Sequence, residues 1–580
     1  MQPVISWFHL QLHAFTAMNK KDFSYSFVLP LLVLLSMLVS CHEAKKPPEK
    51  EIVISPEELN NKVTELVRGS IDYAVSSEGR IDDSLRLSFL SPLKLAYEKS
   101  SYAPVWNPHQ QWKPLSDSML ELVRNARLYG LFPEDYHLAP LELIYHKLVT
   151  DTSATDKKDA VLWSKADILL TDAFIHIVKD VKLGRLPQDS ISLRKDSVLT
   201  DDFYVQQLQL LQQQSLSNII AALEPQHEGY RALKAGIRSF LDSADYQKVY
   251  TPVPLPKDPG FKMALERRMR EAGYITDSLP PDSLQLARAI KRFQQHAGIT
   301  DDGKAGEGTV RMLNISDRDR FVSIAINMDR YKMLPEQMPE RYVWVNLPGF
   351  YMKLLHKDSV EIVSKIICGK PLTRTPLLTS SISTLITYPQ WTIPNSIIVK
   401  EILPGLKRDS DYLAKKGYSL INSNGDEVDP DSVNWSKYSK GIPYKVVQGS
   451  GDENALGVLK FSFPNKYAVY LHDTNQRYLF ARAVRSLSHG CVRVQEWEKL
   501  AYNIVRYDND EDEYSAIPSA EEDSMSTWLV RKEKHAINVK NRLPVFIRYF
   551  TADGKNGKVA FYDDIYGEDK YIRARYFPGK

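Results

Sequence analysis

Two side chains able to do acyl chemistry sit close together late in this sequence. His472 follows the strand-like run Tyr467-Ala468-Val469-Tyr470-Leu471, and Cys491 lies downstream within Ser488-His489-Gly490-Cys491-Val492-Arg493-Val494. A thiol with an ordinary pKa of roughly 8.5 is mostly protonated at neutral pH, and only the thiolate attacks a carbonyl well. An imidazole within hydrogen-bond reach takes that proton and later returns one to a leaving amine. Gly490 allows backbone to approach a substrate carbonyl, and the consecutive N–H groups of Gly490 and Cys491 would hold a developing oxyanion. Arg493 adds positive charge that favours thiolate and attracts a carboxylate. Singly these residues are ambiguous, because a Cys beside Gly is more often a small buried residue and a strand-end His more often structural. Together they form a candidate nucleophile and base.

The other cysteines need separate explanations. Three in the whole chain are too few for a disulfide framework. Cys368 reads as a small buried hydrophobe; paired with Cys491 it would silence the thiol. His472, Asp473, His489 and Cys491 are all possible zinc ligands, but the tight local spacing of structural zinc sites is missing. No metal and no cofactor is therefore expected. Cys41 ends a basic start at Lys20-Lys21 and an apolar run from Phe27 to Val39, too short to span a bilayer, which takes about 20 apolar residues. With Met18 as the starting residue this is an export signal, and its ending resembles a bacterial lipoprotein signal in which Cys41 is lipidated. A plain cleaved signal or an N-terminal anchor helix are the alternatives. Each places the remaining chain outside the cytoplasm, in the cell envelope or periplasm.

At 580 residues the chain exceeds one core, and three or four compact units are expected. A net charge of +3 excludes a strongly basic nucleic-acid binder, and 43% hydrophobic residues suit folded protein rather than a membrane bundle. After the signal (1–41) comes a polar, Pro-containing tether (42–65). Residues 66–250 read as a helical domain: Leu85, Phe89, Leu93 and Tyr97 recur at helical spacing, with Ser91-Pro92 able to start a fresh helix. Ile168 to Val181 forms another helix, closed by Gly184 and Pro187, and Leu208 to Leu223 continues the pattern. The Pro-rich stretch 251–260 reads as a stiff extended spacer. A small helical unit (261–315) follows, with a Gly-rich turn at Asp301 to Gly306. From Phe321 the texture turns to strands, opening a β-rich domain (320–551) with a polar insertion near 401–445. The acidic stretches Asp508 to Glu513 and Glu521 to Asp523 read as solvated loop, and 552–580 as a C-terminal tail.

The run Tyr470-Leu471-His472-Asp473-Thr474, followed by Ser488 to Val494, resembles the signature of the L,D-transpeptidases, penicillin-insensitive cross-linkers of peptidoglycan. Trp344-Val345-Asn346-Leu347-Pro348, Cys368-Gly369-Lys370 with Arg374-Thr375-Pro376, Pro389 to Pro394 and Asn454 to Phe461 are similar as well. Tyr102 to Trp106, Lys182 to Leu186 and residues 286–313 resemble the large subgroup with a helical scaffold and a peptidoglycan-binding-like module. The resemblance implies a multidomain α+β fold: an all-α scaffold, a small helical module, and a β-rich catalytic domain with an inserted capping subdomain. It implies Cys491 as acylated nucleophile and His472 as proton acceptor and donor. Gly490 and Cys491 would supply oxyanion N–H groups, and His489 and Arg493 would shape the site. The substrate would be peptidoglycan stem peptides, with D-Ala released from a tetrapeptide donor and a 3→3 cross-link formed; water as acceptor would make an L,D-carboxypeptidase. A non-catalytic wall-binding lipoprotein is the rival reading. The insertion would act as a lid, hinged at Gly449 to Gly451.

Overall fold

A computed structural model describes residues 45–580 apart from 152, 195–197, 278, 298, 300, 358 and 509–519. The export signal, Cys41 and most of the first acidic stretch lie outside the described residues.

The N-terminal part is helical, with α1 Pro56–Ser76, α2 Leu90–Lys99, α3 Pro114–Arg124, α4 Leu138–Tyr145, α5 Ala160–Lys182, α6 Asp201–Leu210, α7 Leu216–Leu223 and α8 Glu228–Ser243. Helix α5 is buried around most of its circumference, so it forms the axis of the bundle. Its acids are answered inside the core: Asp167 accepts the Tyr97 hydroxyl at 2.6 Å and the N–H groups of Val105 and Trp106 at 2.8 and 2.9 Å. The run Leu208–Leu223 is two helices rather than one, because Ser215 caps α7 by accepting the Asn218 N–H.

The small module holds α9 Phe261–Glu271, α10 Ser283–His296 and α11 Glu307–Leu313. A reciprocal capping box between Asp282 and Gln285 starts α10. The Pro-rich stretch is pinned to this module instead of spanning free space. Thr251 donates to Glu271 through its N–H at 2.7 Å and its hydroxyl at 2.6 Å, and Val253 exchanges two hydrogen bonds with the Asn314 side chain. An extended segment has no internal ladder, so its backbone groups are open to such partners.

Helix α12 Asp317–Lys332 opens the next domain and contains Phe321, so strands begin only at Arg341. They are β1 Arg341–Asn346, β2 Tyr351–His356, β3 Ser359–Gly369, β4 Leu378–Thr387, β5 Trp391–Thr392, β6 Tyr418–Ile421, β7 Lys445–Gln448, β8 Leu459–Ser462, β9 Leu471–His472, β10 Ser486–Ser488, β11 Val492–Val494 and β12 Ala536–Arg548. Nine of these form one sheet in the order β10-β3-β11-β9-β8-β4-β12-β1-β2, and β2 pairs back onto β3, closing it. Helices α13 Trp497–Asp508 and α14 Ala520–Arg531 flank it. Glu521 to Asp523, expected as loop, form the first turn of α14, where acids suit the positive helix end, and Glu522 is buried against Arg506 at 2.5 Å.

Strands β5, β7 and β6 make a separate small sheet over a core of Ile393, Ile398, Ile402, Leu413, Leu420 and Val446. The insertion therefore runs from 391 to 448, wider than 401–445. Its outer strands, β5 and β6, are two and four residues long, too short to show a period in the sequence.

The segment 552–580 is folded: β13 Ala552–Lys555 and β14 Lys558–Phe561 form a hairpin and α15 Glu568–Tyr576 follows. The hairpin lies backbone to backbone on α8. A Cβ on Gly236 would stand 2.6 Å from the Lys558 carbonyl carbon, an approach only glycine permits. One apolar cluster then joins scaffold, module and catalytic sheet through Leu233, Val253, Phe293, Tyr331, Trp344 and Phe561. Among the described residues no helix is long and apolar enough to cross a membrane.

Candidate active site

Three short strands place the candidate residues. β9 pairs in parallel with β11, Leu471 with Val492 and His472 with Arg493, and antiparallel with β8, Lys460 with His472. The Val492 N–H donates to the Tyr470 carbonyl at 3.2 Å, which sets Cys491 level with Tyr470. Side chains alternate across a sheet. Phe461, Leu471 and Val492 therefore enter the core, and Lys460, Tyr470, His472, Cys491 and Arg493 share the opposite face. His472 and Cys491 are diagonal neighbours on adjacent strands, a relation that spans about 7–8 Å between backbones and lies within side-chain reach.

The imidazole is buried, and its Nδ1 has no partner among the described residues. Burial pushes the His472 pKa down to about 3; Arg493 pushes the same way, and hydrogen bonding to backbone at Asp473 and Leu456 opposes both. The Tyr470 ring meets it edge-on at 5.6 Å. The half-buried Cys491 thiol has its pKa raised by burial, while Tyr470, Lys460 and Arg493 pull it back. Its sulfur is 4.0 Å from the Ala468 carbonyl. Both shifts run toward the uncharged forms, thiol and neutral imidazole.

The surrounding residues divide by task. Arg493 donates to Gln476 Oε1 at 3.1 Å. His489 Nε2 stands 2.6 Å from Glu401 Oε1 on the inserted subdomain. Gly490 adopts φ +130°, open to glycine and strained for other residues. Its N–H already donates to Ser488 Oγ at 3.1 Å, so the Cys491 N–H, which has no acceptor among the described residues, is the one left open. Asp473 holds Arg477 through two bonds of 3.1 and 2.7 Å and accepts the Val458 N–H at 3.1 Å, anchoring the turn after β9. Among the described residues no group of three or more His, Cys, Asp and Glu could hold a metal ion. Cys368 is a free thiol buried in β3, its pKa pushed up to about 12 by desolvation.

Sequence reasoning missed Tyr470 as a neighbour of the thiol, although its place two residues before His472 puts it on the same strand face. It also missed Lys460, whose Nζ lies 4.1 Å from the Tyr470 ring centre. Only the strand register brings that lysine in. The Tyr470 hydroxyl is itself pushed to a higher pKa, chiefly by burial.

The closed sheet carries Cys491 and His472 on one face, and the inserted subdomain reaches it through the Glu401–His489 contact. Residues 340–509 match the L,D-transpeptidase catalytic domain, residues 91–236 the scaffold domain and residues 263–313 the "Putative peptidoglycan binding domain". The chain therefore carries an L,D-transpeptidase catalytic domain together with a scaffold and a peptidoglycan-binding domain. It is similar to a "Putative L,D-transpeptidase" of Haemophilus influenzae, 33% identical over 249 residues, which are 43% of this chain and 48% of the relative. The aligned part thus spans about half the length of that relative. Solved structures give slighter likenesses. The catalytic domain of the Enterococcus faecium L,D-transpeptidase acylated by ertapenem is 14% identical with a TM-score of 0.16, over 37% of this chain and 99% of that one. The L,D-transpeptidase of Stackebrandtia nassauensis is 14% identical with a TM-score of 0.17, over 44% and 90%.

Proposed function

We propose that this protein is an exported L,D-transpeptidase that cross-links peptidoglycan stem peptides through a thioester on Cys491. The observation that carries this reading is the shared strand face of Cys491 and His472, with an unpartnered ring nitrogen on the base. As the sulfur attacks the carbonyl between the third stem residue and D-Ala, its proton passes to His472 Nδ1. The tetrahedral oxyanion is held by the Cys491 N–H. The buried ring refuses a proton at rest; it takes one only while negative charge develops beside it, and Arg493 and Lys460 steady that charge. The carbon–nitrogen bond then breaks, D-Ala leaves with the proton from His472, and a thioester remains. A side-chain amine of a second stem resolves it, forming the 3→3 amide and giving up a proton that passes through His472 to the departing sulfur. The inserted subdomain, joined to the site through the Glu401–His489 contact, limits water as competing acceptor. The module at 261–315 holds the enzyme on the wall. Export by the N-terminal signal, with Cys41 lipidated, places the enzyme in the periplasm.

Incubating the full chain with disaccharide-tetrapeptide and analysing products by mass spectrometry tests this. The expected result is D-Ala loss with a dimer bearing the new amide. D-Ala loss alone would make the protein a carboxypeptidase, and no change would leave a wall-binding protein without catalysis.

A further inference from the structure

Strand β12 and the segment after it lie outside the matched catalytic region 340–509, yet the segment reaches the loop that holds the turn carrying Cys491. Tyr549 and Tyr566 stack with ring centres 5.7 Å apart, and the Tyr566 N–H donates to the Tyr549 hydroxyl at 2.8 Å, which fixes Tyr566. The Tyr566 hydroxyl donates to the Gly369 carbonyl at 2.7 Å and accepts the Thr375 N–H at 3.2 Å. Thr375, itself buried, accepts the Gly369 N–H at 2.9 Å and donates its hydroxyl proton to the Gly490 carbonyl at 2.8 Å. Beside it, Lys370 N–H and Thr373 Oγ1 both donate to the Ser488 carbonyl, at 2.9 and 3.1 Å. The loop 369–375 thus clamps the turn that carries the thiol, and Tyr566 clamps the loop.

A trans peptide unit is planar, with its carbonyl and its N–H pointing in opposite directions. The Gly490 carbonyl and the Cys491 N–H belong to one such unit. Tethering the first to Thr375 therefore aims the second away from the loop, toward the face that Cys491 shares with His472. The +130° φ of Gly490 leaves this unit without the steric limits that hold other residues, so an outside tether has to set its angle. We propose that Thr375 and Tyr566 are positioning residues that orient the Cys491 N–H as oxyanion donor, with Tyr566 acting through Thr375 from the C-terminal segment. The inference rests on the acyl-transfer reading above.

The two roles of the turn can be measured apart. D-Ala release builds an oxyanion, whereas alkylation of Cys491 by iodoacetamide does not, so a misaimed donor slows only the first. Thr375→Val and Tyr566→Phe should each lower kcat for D-Ala release about tenfold or more. KM, and the rate and pH profile of Cys491 alkylation, should stay at parental values. Thr375→Ser, which keeps the hydroxyl, should restore kcat. Parental kcat in both Thr375→Val and Tyr566→Phe would overturn the proposal, as would alkylation falling in step with kcat, the mark of a turn that has simply come apart. A parent that releases no D-Ala would instead sink the acyl-transfer reading, and this inference with it.

Discussion

The protonation state of His472 is the feature of the site most open to direct measurement. Its pKa of about 3 against an ordinary 6.5 makes imidazolium formation unfavourable by about 5 kcal/mol, at about 1.4 kcal/mol for each factor of ten. The sign for stability follows. Between pH 3 and 6.5 the unfolded chain binds a proton on this ring that the folded chain does not, so stability rises with pH across that window and is lost as pH falls through it. From pH 7 to pH 5 the His472 share of that loss is about 2 kcal/mol. The assay is a histidine-selective carbon-13 titration of the full chain from pH 4.5 to 8, with His472→Gln identifying one signal among the thirteen histidines. The His472 resonance should stay neutral throughout. A midpoint near 6.5, or an imidazolium signal at neutral pH that disappears in Cys491→Ser, would refute the reasoning and point to a preformed thiolate–imidazolium pair.

Three further outcomes are expected. Gly490→Ala places a side chain where φ is +130°; the strain, about 1–3 kcal/mol, should distort the turn and lower both D-Ala release and Cys491 alkylation. Gly236→Ala drives a Cβ into the Lys558 carbonyl carbon, so thermal melting should fall and the C-terminal segment should become sensitive to limited proteolysis, a destabilisation of about 1–3 kcal/mol. Mapping of alkylated peptides should find Cys491 labelled in native protein and Cys368 only after denaturation, since Cys368 is fully buried with its pKa pushed up to about 12.

The candidate pair was legible because its residues stand at the ends of local runs. Tyr467 to Leu471 announces a strand, and Gly490 beside Cys491 announces a turn that needs a special backbone. The helical scaffold and the module were legible for the same reason, through Ile168 to Val181 closed by Gly184 and through the Gly-rich turn after α10. What stayed hidden depends on partners distant in the chain. Thr375 meets Tyr566 across 191 positions and Gly490 across 115, and nothing near any of them marks the contact. The segment 552–580 reads as a tail because its hairpin is short and glycine-interrupted, and one of those glycines, Gly554, lets it lie against α8. The stretch containing Phe321 shows the opposite error: apolar residues suited to a strand were spaced for a helix whose cap, Ser316 with Asp319, outweighed them.

The central claim is that an acyl group resides on one sulfur. Quenching full-length protein in acid within seconds of mixing with tetrapeptide donor, then sequencing its peptides by mass spectrometry, reads this directly. The fragment containing Cys491 should carry the mass of the donor less D-Ala, and Cys491→Ala should carry none. Cross-linked product formed by Cys491→Ala at the parental rate, or the adduct on any other residue, would contradict it.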